Sequence, residues 1–373
     1  MQFGMECLNN IAKVIIADNM DSLNFNKDKL GNTQPNSHGN NSTFDIDFVV
    51  LWVDSNDSDW QIEKAKFSPK KSEDVSLIRY QNWDNIKYWF RAVAKYAPWV
   101  RQIHFVTCGQ LPEWLNIKHP KINWVKHSDY MPADALPTFN SSAIEIGINH
   151  IPNLAEHFVF FNDDIFLTAP ITPEYFFKNG NPYDMPGFLS PPKKVVGNVF
   201  SSLLLNNSNI LQKHFSKEQL LKSRIHEWLN PKMGKTFLRT LYHFFSKGFP
   251  GFVIPHLSTP YLKSDFDKVW NIESQILSET QRHRFRNEDD VTHLLIRNWR
   301  MCEGCYVPKK SKGKYFSVDG EKTARSVAAA IIDRKYPEIC INEVCSGDLF
   351  EKVKKIINEA FNRTLCDVCE FEK

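Results

Sequence analysis

Uninterrupted apolar runs alternate along this chain with apolar residues at helical spacing. Asp47-Phe48-Val49-Val50-Leu51-Trp52-Val53 and His157-Phe158-Val159-Phe160-Phe161 are rich in aromatic and β-branched side chains, as strands buried on both faces are. Each run stops at polar residues: Asp54, Asp57 and Asp59 after the first, Asn162, Asp163 and Asp164 after the second. Residues 102–107 and 122–125 read as two further strands, the latter leading to His127, Ser128 and Asp129. Between them and the first run, Ile86, Trp89, Phe90, Val93 and Ala97 recur at helical intervals until Pro98 ends the element. Strand, helix, strand is the unit of a parallel sheet, so the pattern predicts an α/β fold with a mostly parallel sheet. In such sheets ligands collect beyond the carboxyl ends of the strands, and four strands ending in polar residues point to one shared cleft. Adjacent acids there repel, so a cation, an arginine or a protonated neighbour must compensate them, unless the turn simply faces water.

The remaining pattern divides the chain. Residues 1–43 are polar and without periodicity, a flexible lead-in; 44–209 hold the core, 210–250 a helical insertion, and 251–373 complete the catalytic part. Ser142 and Glu145 stand at capping-box spacing before Ile144, Ile148 and Ile151, so a helix amino end there offers N–H groups to a phosphate, or is a cap and nothing more. The insertion carries Lys213, Lys217, Lys222, Arg224, Lys232, Lys235, Arg239 and Lys247 against Glu218 and Glu227. Basic amphipathic helices of this kind lie on an anionic membrane surface, hold an acidic acceptor, or pack their apolar stripe on the main domain. His256 sits in a proline-flanked turn, and Arg282, Arg284 and Arg286 alternate with His283 and Phe285, giving donors for phosphate oxygens or a solvated basic loop. Lys309 to Lys314 read as a surface loop, and 349–361 as a last amphipathic helix.

Composition narrows the classes. A hydrophobic content of 42% with 13% aromatics describes a globular protein, and a net charge of +3 in 373 residues gives no argument for nucleic acid. No apolar run reaches the roughly 18 residues of a membrane span, and Met1 to Asn10 lack the basic-then-apolar order of a signal peptide; the expectation is a cytoplasmic protein, peripheral at most at the inner face of the membrane. Cys302 with Cys305 and Cys366 with Cys369 form two C-x-x-C pairs, but their separation exceeds that of a zinc ribbon, and reduced, mostly buried thiols fit better. There is no G-x-x-x-x-G-K-[ST] run and no G-x-G-x-x-G after a strand, which argues against a P-loop ATPase and a dinucleotide dehydrogenase. What remains is a pocket for a phosphorylated ligand, best a diphosphate with a divalent cation.

Several segments together resemble the Stealth family of capsular polysaccharide phosphotransferases, which includes the catalytic part of the lysosomal-enzyme N-acetylglucosamine-1-phosphotransferase. The segments are 47–54, Arg79-Tyr80 through Val100, 136–141 with 161–164, His256 with 282–286, and Cys340-Ile341-Asn342-Glu343. The resemblance implies a Rossmann-like, glycosyltransferase-A-like core using Mg2+ or Mn2+. It implies transfer of a whole hexose-1-phosphate from a nucleotide-sugar donor to a glycan or lipid-linked glycan acceptor. Carried over, Asp54, Asp163, Asp164, His256 and Arg284 become catalytic candidates, with Arg79, Asn140, Ser141, Arg286 and Asn342 on the donor and Asp163, Asp164 and Glu343 on the metal. Two positions depart from the family pattern: Glu343 stands where Asp is common, and Asn149-His150 where His-Arg precedes Ile-Pro.

Overall fold

In the computed structural model, which describes residues 44–68 and 81–373, the first apolar run forms β1 (Ile46–Leu51), with Phe48 and Val50 in one core and Val49 in the other. After it come α1 (Ser58–Phe67), α2 (Ile86–Tyr96), β2 (Ile103–Thr107) and β3 (Ile122–Lys126). Then follow α3 (Ser141–Glu145), β4 (His157–Phe161) and β5 (Ile165–Leu167). The short strands β6 (Phe177–Lys178), β7 (Asn181–Asp184), β8 (Phe188–Leu189) and β9 (Gly251–Phe252) surround α4 (Val199–His214), α5 (Lys217–Trp228) and α6 (Lys235–Phe244). The chain closes with β10 (Thr259–Leu262), α7 (Lys263–Arg282), α8 (Leu294–Glu303), β11 (Val307–Pro308), β12 (Lys314–Val318), α9 (Glu321–Ile332), β13 (Glu338–Glu343) and α10 (Gly347–Thr364).

The central sheet has the order β10-β4-β1-β2-β3, parallel throughout except for β10. This is the α/β, mostly parallel architecture that the strand and helix pattern predicts. The chain runs from β1 to β2 and β3 on one side, then crosses to β4 on the other, so a crevice opens where the strand order reverses. One core layer beside the sheet holds Trp89 and Phe90 of α2 with Val327 of α9 and Phe361 of α10; the other holds Phe266 of α7, Leu295 of α8, Leu211 of α4 and Trp228 of α5. Each such side chain, fully buried, contributes about 1.5–3 kcal/mol.

Two local readings are corrected and one is extended. The stretch from His157 to Leu167 is two strands in two sheets: β4 ends, 162–164 turn, and β5 pairs with β13 in the sheet β12-β13-β5. The acids therefore sit at a junction between sheets. After β1, Asp57 caps α1, its side chain accepting from the Asp59 and Trp60 amides, which holds its carboxyl below the usual range. The cap of α3 is Asn140, which accepts from the Ser142 amide, not Ser142 with Glu145; and α3 is only five residues long, too short for a phosphate seat at its amino end. No helix among the described residues is long and apolar enough to cross a membrane.

Candidate active site

Strand pairing explains why distant segments meet at the end of β4. Because β10 is antiparallel to β4, with Thr259 opposite Phe160, the residues just before it, including His256, arrive beside Asn162. Pairing of β13 with β5, Cys340 opposite Ile165, brings Cys340 and Asn342 to the same place, and the Ile341 amide donates to the Asp164 carbonyl at 2.9 Å. The segment after α7 is tied in by the Phe139 amide, which donates to the Arg284 carbonyl at 2.7 Å. Asn162, Asp164, His256, Arg286, Cys340 and Asn342 consequently line one cleft.

Asp164 is half-buried. Its Oδ2 accepts from the Cys340 thiol at 3.2 Å, while Oδ1 is buried with no partner. Burial raises its pKa to about 6, an effect the Cys340 contact partly offsets. Other acids in the wall are spoken for: Asp184 accepts from Arg297 and Arg300, and Glu338 from the Tyr175 hydroxyl at 2.9 Å and from Ser258. His256 has φ of 52°, the left-handed region, which costs a residue with a Cβ on the order of 1–3 kcal/mol and tends to be kept where it serves a site. Its ring lies 5.0 Å from that of Tyr315. Burial of its inner side, and then the Arg297 charge, lower its pKa below 6.5, so the imidazole is neutral at neutral pH.

A buried polar group backs the cleft. Arg286 donates to the Ser141 hydroxyl at 2.6 Å, and Ser141 in turn hydrogen-bonds Glu145, whose pKa burial lifts to about 7. His293 Nε2 is 3.8 Å from Glu145, yet burial drops the imidazole to about 3, so at neutral pH this contact is not an ion pair. On the opposite rim, Lys309 donates to the Tyr175 carbonyl at 2.7 Å and sits 3.9 Å from the centre of the Tyr183 ring; burial lowers it to about 8. Lys310 and Lys312 follow it into the cleft wall, so the run read as a surface loop forms one side of the site.

Of the residues nominated from sequence, Asp164, His256, Arg286 and Asn342 line this cleft, and Ser141 supports Arg286 from behind. Asn140 is fully buried; besides capping α3 it donates to Asp290 at 2.8 Å and to the His283 carbonyl at 3.1 Å, which fastens the arginine segment. Asp163 is exposed on the outer side of the turn. Asp54 accepts from the Asn82 amide at 2.8 Å, and Arg284 donates to the Leu136 carbonyl at 3.1 Å with its guanidinium over the Phe67 ring. Neither lines the cleft; Arg284 reaches instead a neighbouring hollow lined by Trp60, His127, Leu136 and Phe139. Arg79 and the Glu343 side chain lie outside the described residues. Sequence reading missed Lys310, Lys312 and Tyr315, and took Glu145 for a cap. A lysine cluster directly after a strand was the available signal for the first two. The cysteines are not uniformly buried: Cys302, Cys340 and Cys345 are, whereas Cys108, Cys305 and Cys366 are exposed.

Among the described residues no three His, Cys, Asp or Glu side chains are grouped to hold a cation unaided. Magnesium is commonly held by one or two carboxylates, with water and substrate phosphate filling the other positions. The unpartnered Asp164 Oδ1, beside the Asn162 and Asn342 side chains, fits a site completed in that way.

The family model described as Stealth protein CR2, conserved region 2, matches residues 79–184. The chain is 38% identical over 334 residues to the capsular polysaccharide phosphotransferase WcwK of Streptococcus pneumoniae, covering 88% of this chain and 98% of that one. It is also 38% identical over 335 residues to the exopolysaccharide phosphotransferase cps2G of Lactiplantibacillus plantarum, covering 88% and 97%. A solved structure of the galactosyltransferase LgtC with donor and acceptor sugar analogues aligns over 87% of this chain and 98% of that one, at 11% identity and a TM-score of 0.36, a likeness too slight to bear on chemistry. Matched at this identity along nearly the whole length of its relatives, the chain belongs to the Stealth family of capsular polysaccharide phosphotransferases.

Proposed function

We propose that this phosphotransferase of polysaccharide synthesis moves an intact hexose-1-phosphate from a nucleotide sugar to a hydroxyl of a glycan or lipid-linked glycan, releasing nucleoside monophosphate. The observation that carries the reading is the meeting of Asp164, whose Oδ1 has no partner, with a neutral histidine and several cations in one cleft. An acceptor oxygen attacks the phosphorus next to the sugar. The bond from that phosphorus to the bridging oxygen breaks, and the bridging oxygen departs with the electron pair on the monophosphate. The hydroxyl proton passes to His256, whose neutral imidazole can accept it. Arg286, Lys310 and Lys312 offset charge on the phosphate oxygens. Asp164, with Asn162 and Asn342, would hold Mg2+ or Mn2+ against those oxygens, and the cation would neutralise charge on the departing phosphate.

Family membership supports the class of reaction, and the charge pattern of the cleft supports a diphosphate donor. The test is to incubate the chain with a panel of nucleotide sugars and an oligosaccharide acceptor and identify the released nucleotide. The monophosphate is expected. Release of the diphosphate would instead make it a conventional glycosyltransferase, attacking the sugar carbon.

A further inference from the structure

Helix α6 is amphipathic in the wrong direction for a helix lying on a globular domain. It buries Thr236, Thr240 and Phe244, and the inward hydroxyls are used: Thr240 donates to the Thr236 carbonyl at 2.8 Å and accepts from the Phe188 amide at 3.0 Å. Outward, spaced by four and then three residues, stand Leu238, Tyr242 and Phe245, exposed by 64%, 77% and 60%. Such spacing places them in one stripe, opposite the buried face. Contiguous exposed apolar side chains of this size mark a contact surface.

Along the chain through α6 the charge is of one sign, although Lys194 of the neighbouring loop pairs with Glu288. From Glu227 to Asp265 the chain contains no acid, while Lys232, Lys235, Arg239 and Lys247 are all exposed around the helix. Beyond the helix, Gly248 approaches Pro191, the start of a loop whose tip exposes Val195 and Val196, by 54% and 97%, directly after Lys193 and Lys194. At the other end, a Cβ on Gly234 would lie 3.5 Å from the amine of Lys310, which lines the cleft. The stripe thus begins at the rim of the site.

We infer that α6 docks this protein on an anionic lipid surface, with Leu238, Tyr242 and Phe245 entering the headgroup region and the flanking lysines and Arg239 meeting lipid phosphates. Apolar side chains with a cationic border are what an interfacial helix requires, and long basic side chains can reach the headgroups while their stems stay apolar. A second copy of the chain is the poorer occupant. A two-fold interface on this face would bring together two copies of the same cations, Lys235, Arg239 and Lys247, with no acid of α6 to pair them, and like charges disfavour that arrangement. Docking here would hold the cleft mouth close to the headgroups, where a lipid-linked acceptor presents its glycan.

The test is flotation of the full chain with vesicles of phosphatidylcholine alone or with phosphatidylglycerol. Binding only to the anionic vesicles is expected, weakening as salt shortens the reach of surface charge. Substituting Leu238→Ser, Tyr242→Ser and Phe245→Ser together is expected to lower binding by roughly tenfold or more, and Lys235→Glu with Arg239→Glu similarly. Thermal unfolding and turnover with a water-soluble acceptor should be unchanged in both variants. This readout does not depend on the donor chemistry. No flotation of the wild type, equal flotation of the triple variant, or a dimer that the triple variant dissolves would overturn the assignment.

Discussion

The proposed reaction relies on two side chains, Asp164 and His256, held at some cost to the fold. Asp164 has its pKa raised to about 6 against an ordinary value of 3.8, so the folded state binds more protons than the unfolded one between those values. Its burial therefore lowers stability as pH rises through that window, with the full penalty present above about pH 6. Asp164→Asn is expected to lose about 100-fold or more in turnover while gaining on the order of 1 kcal/mol in stability above that window and little below it. Denaturant titrations at both ends of the window, beside the rate measurements, check this. A variant that loses stability instead would mean the carboxylate is a structural partner. For His256 the sign is opposite: the neutral form accepts the proton, so wild-type activity should fall as the pH drops below the imidazole's lowered pKa. In His256→Gln the residual rate should keep only the single ionisation of Asp164 near pH 6 and become less steep below it; an unchanged steepness would mean that the imidazole does not titrate in turnover.

At the scale of elements, burial on both faces is what made the parallel strands legible. β1, β2 and β4 read correctly because runs such as Phe48-Val49-Val50 and Phe158-Val159-Phe160 have no polar side to confuse with a helix stripe. The end of β4 at Phe161 was legible, but β5 was not assigned because the three residues Ile165-Phe166-Leu167 are too few to show a period, and only pairing with β13 shows that they join another sheet. One buried polar device in β1 carried no sequence signal. Asp47 is fully buried and accepts from Arg101 Nε at 2.8 Å and from the Ala155 amide at 2.8 Å, with His104 Nε2 2.9 Å away. Burial pushes this carboxyl up, but His104 and Arg101 outweigh it and hold its pKa below 3.8. It ties β1 to β2 and to the turn before β4. Asp47→Ala leaves His104 buried without its acid and is expected to cost about 3 kcal/mol in denaturant unfolding. A loss of a few tenths would mean that solvent satisfies Arg101 as well as Asp47 does.

The molecule as a whole gathers one site from segments nearly 200 residues apart, and this was only partly readable. Polar residues at four strand ends pointed to one shared cleft, but only the end of β4 lines it, with Asn162 and Asp164, while His127 after β3 lines a separate hollow. Periodicity could not show which way neighbouring side chains turn. Arg284 and Arg286, two residues apart, would share a face in an extended segment, but the chain bends at 284–285, so one leans on Phe67 and the other enters the cleft; and Asn140 is consumed by Asp290 and a helix cap. The central claim is that phosphorus travels with the sugar. It is tested most directly with a nucleotide sugar carrying radioactive phosphorus at the position next to the sugar, followed into the chromatographically separated products. The account predicts the label in a phosphodiester of the glycan product, with unlabelled nucleoside monophosphate released. Recovery of the label in a released nucleoside diphosphate, with none in the glycan, would contradict it.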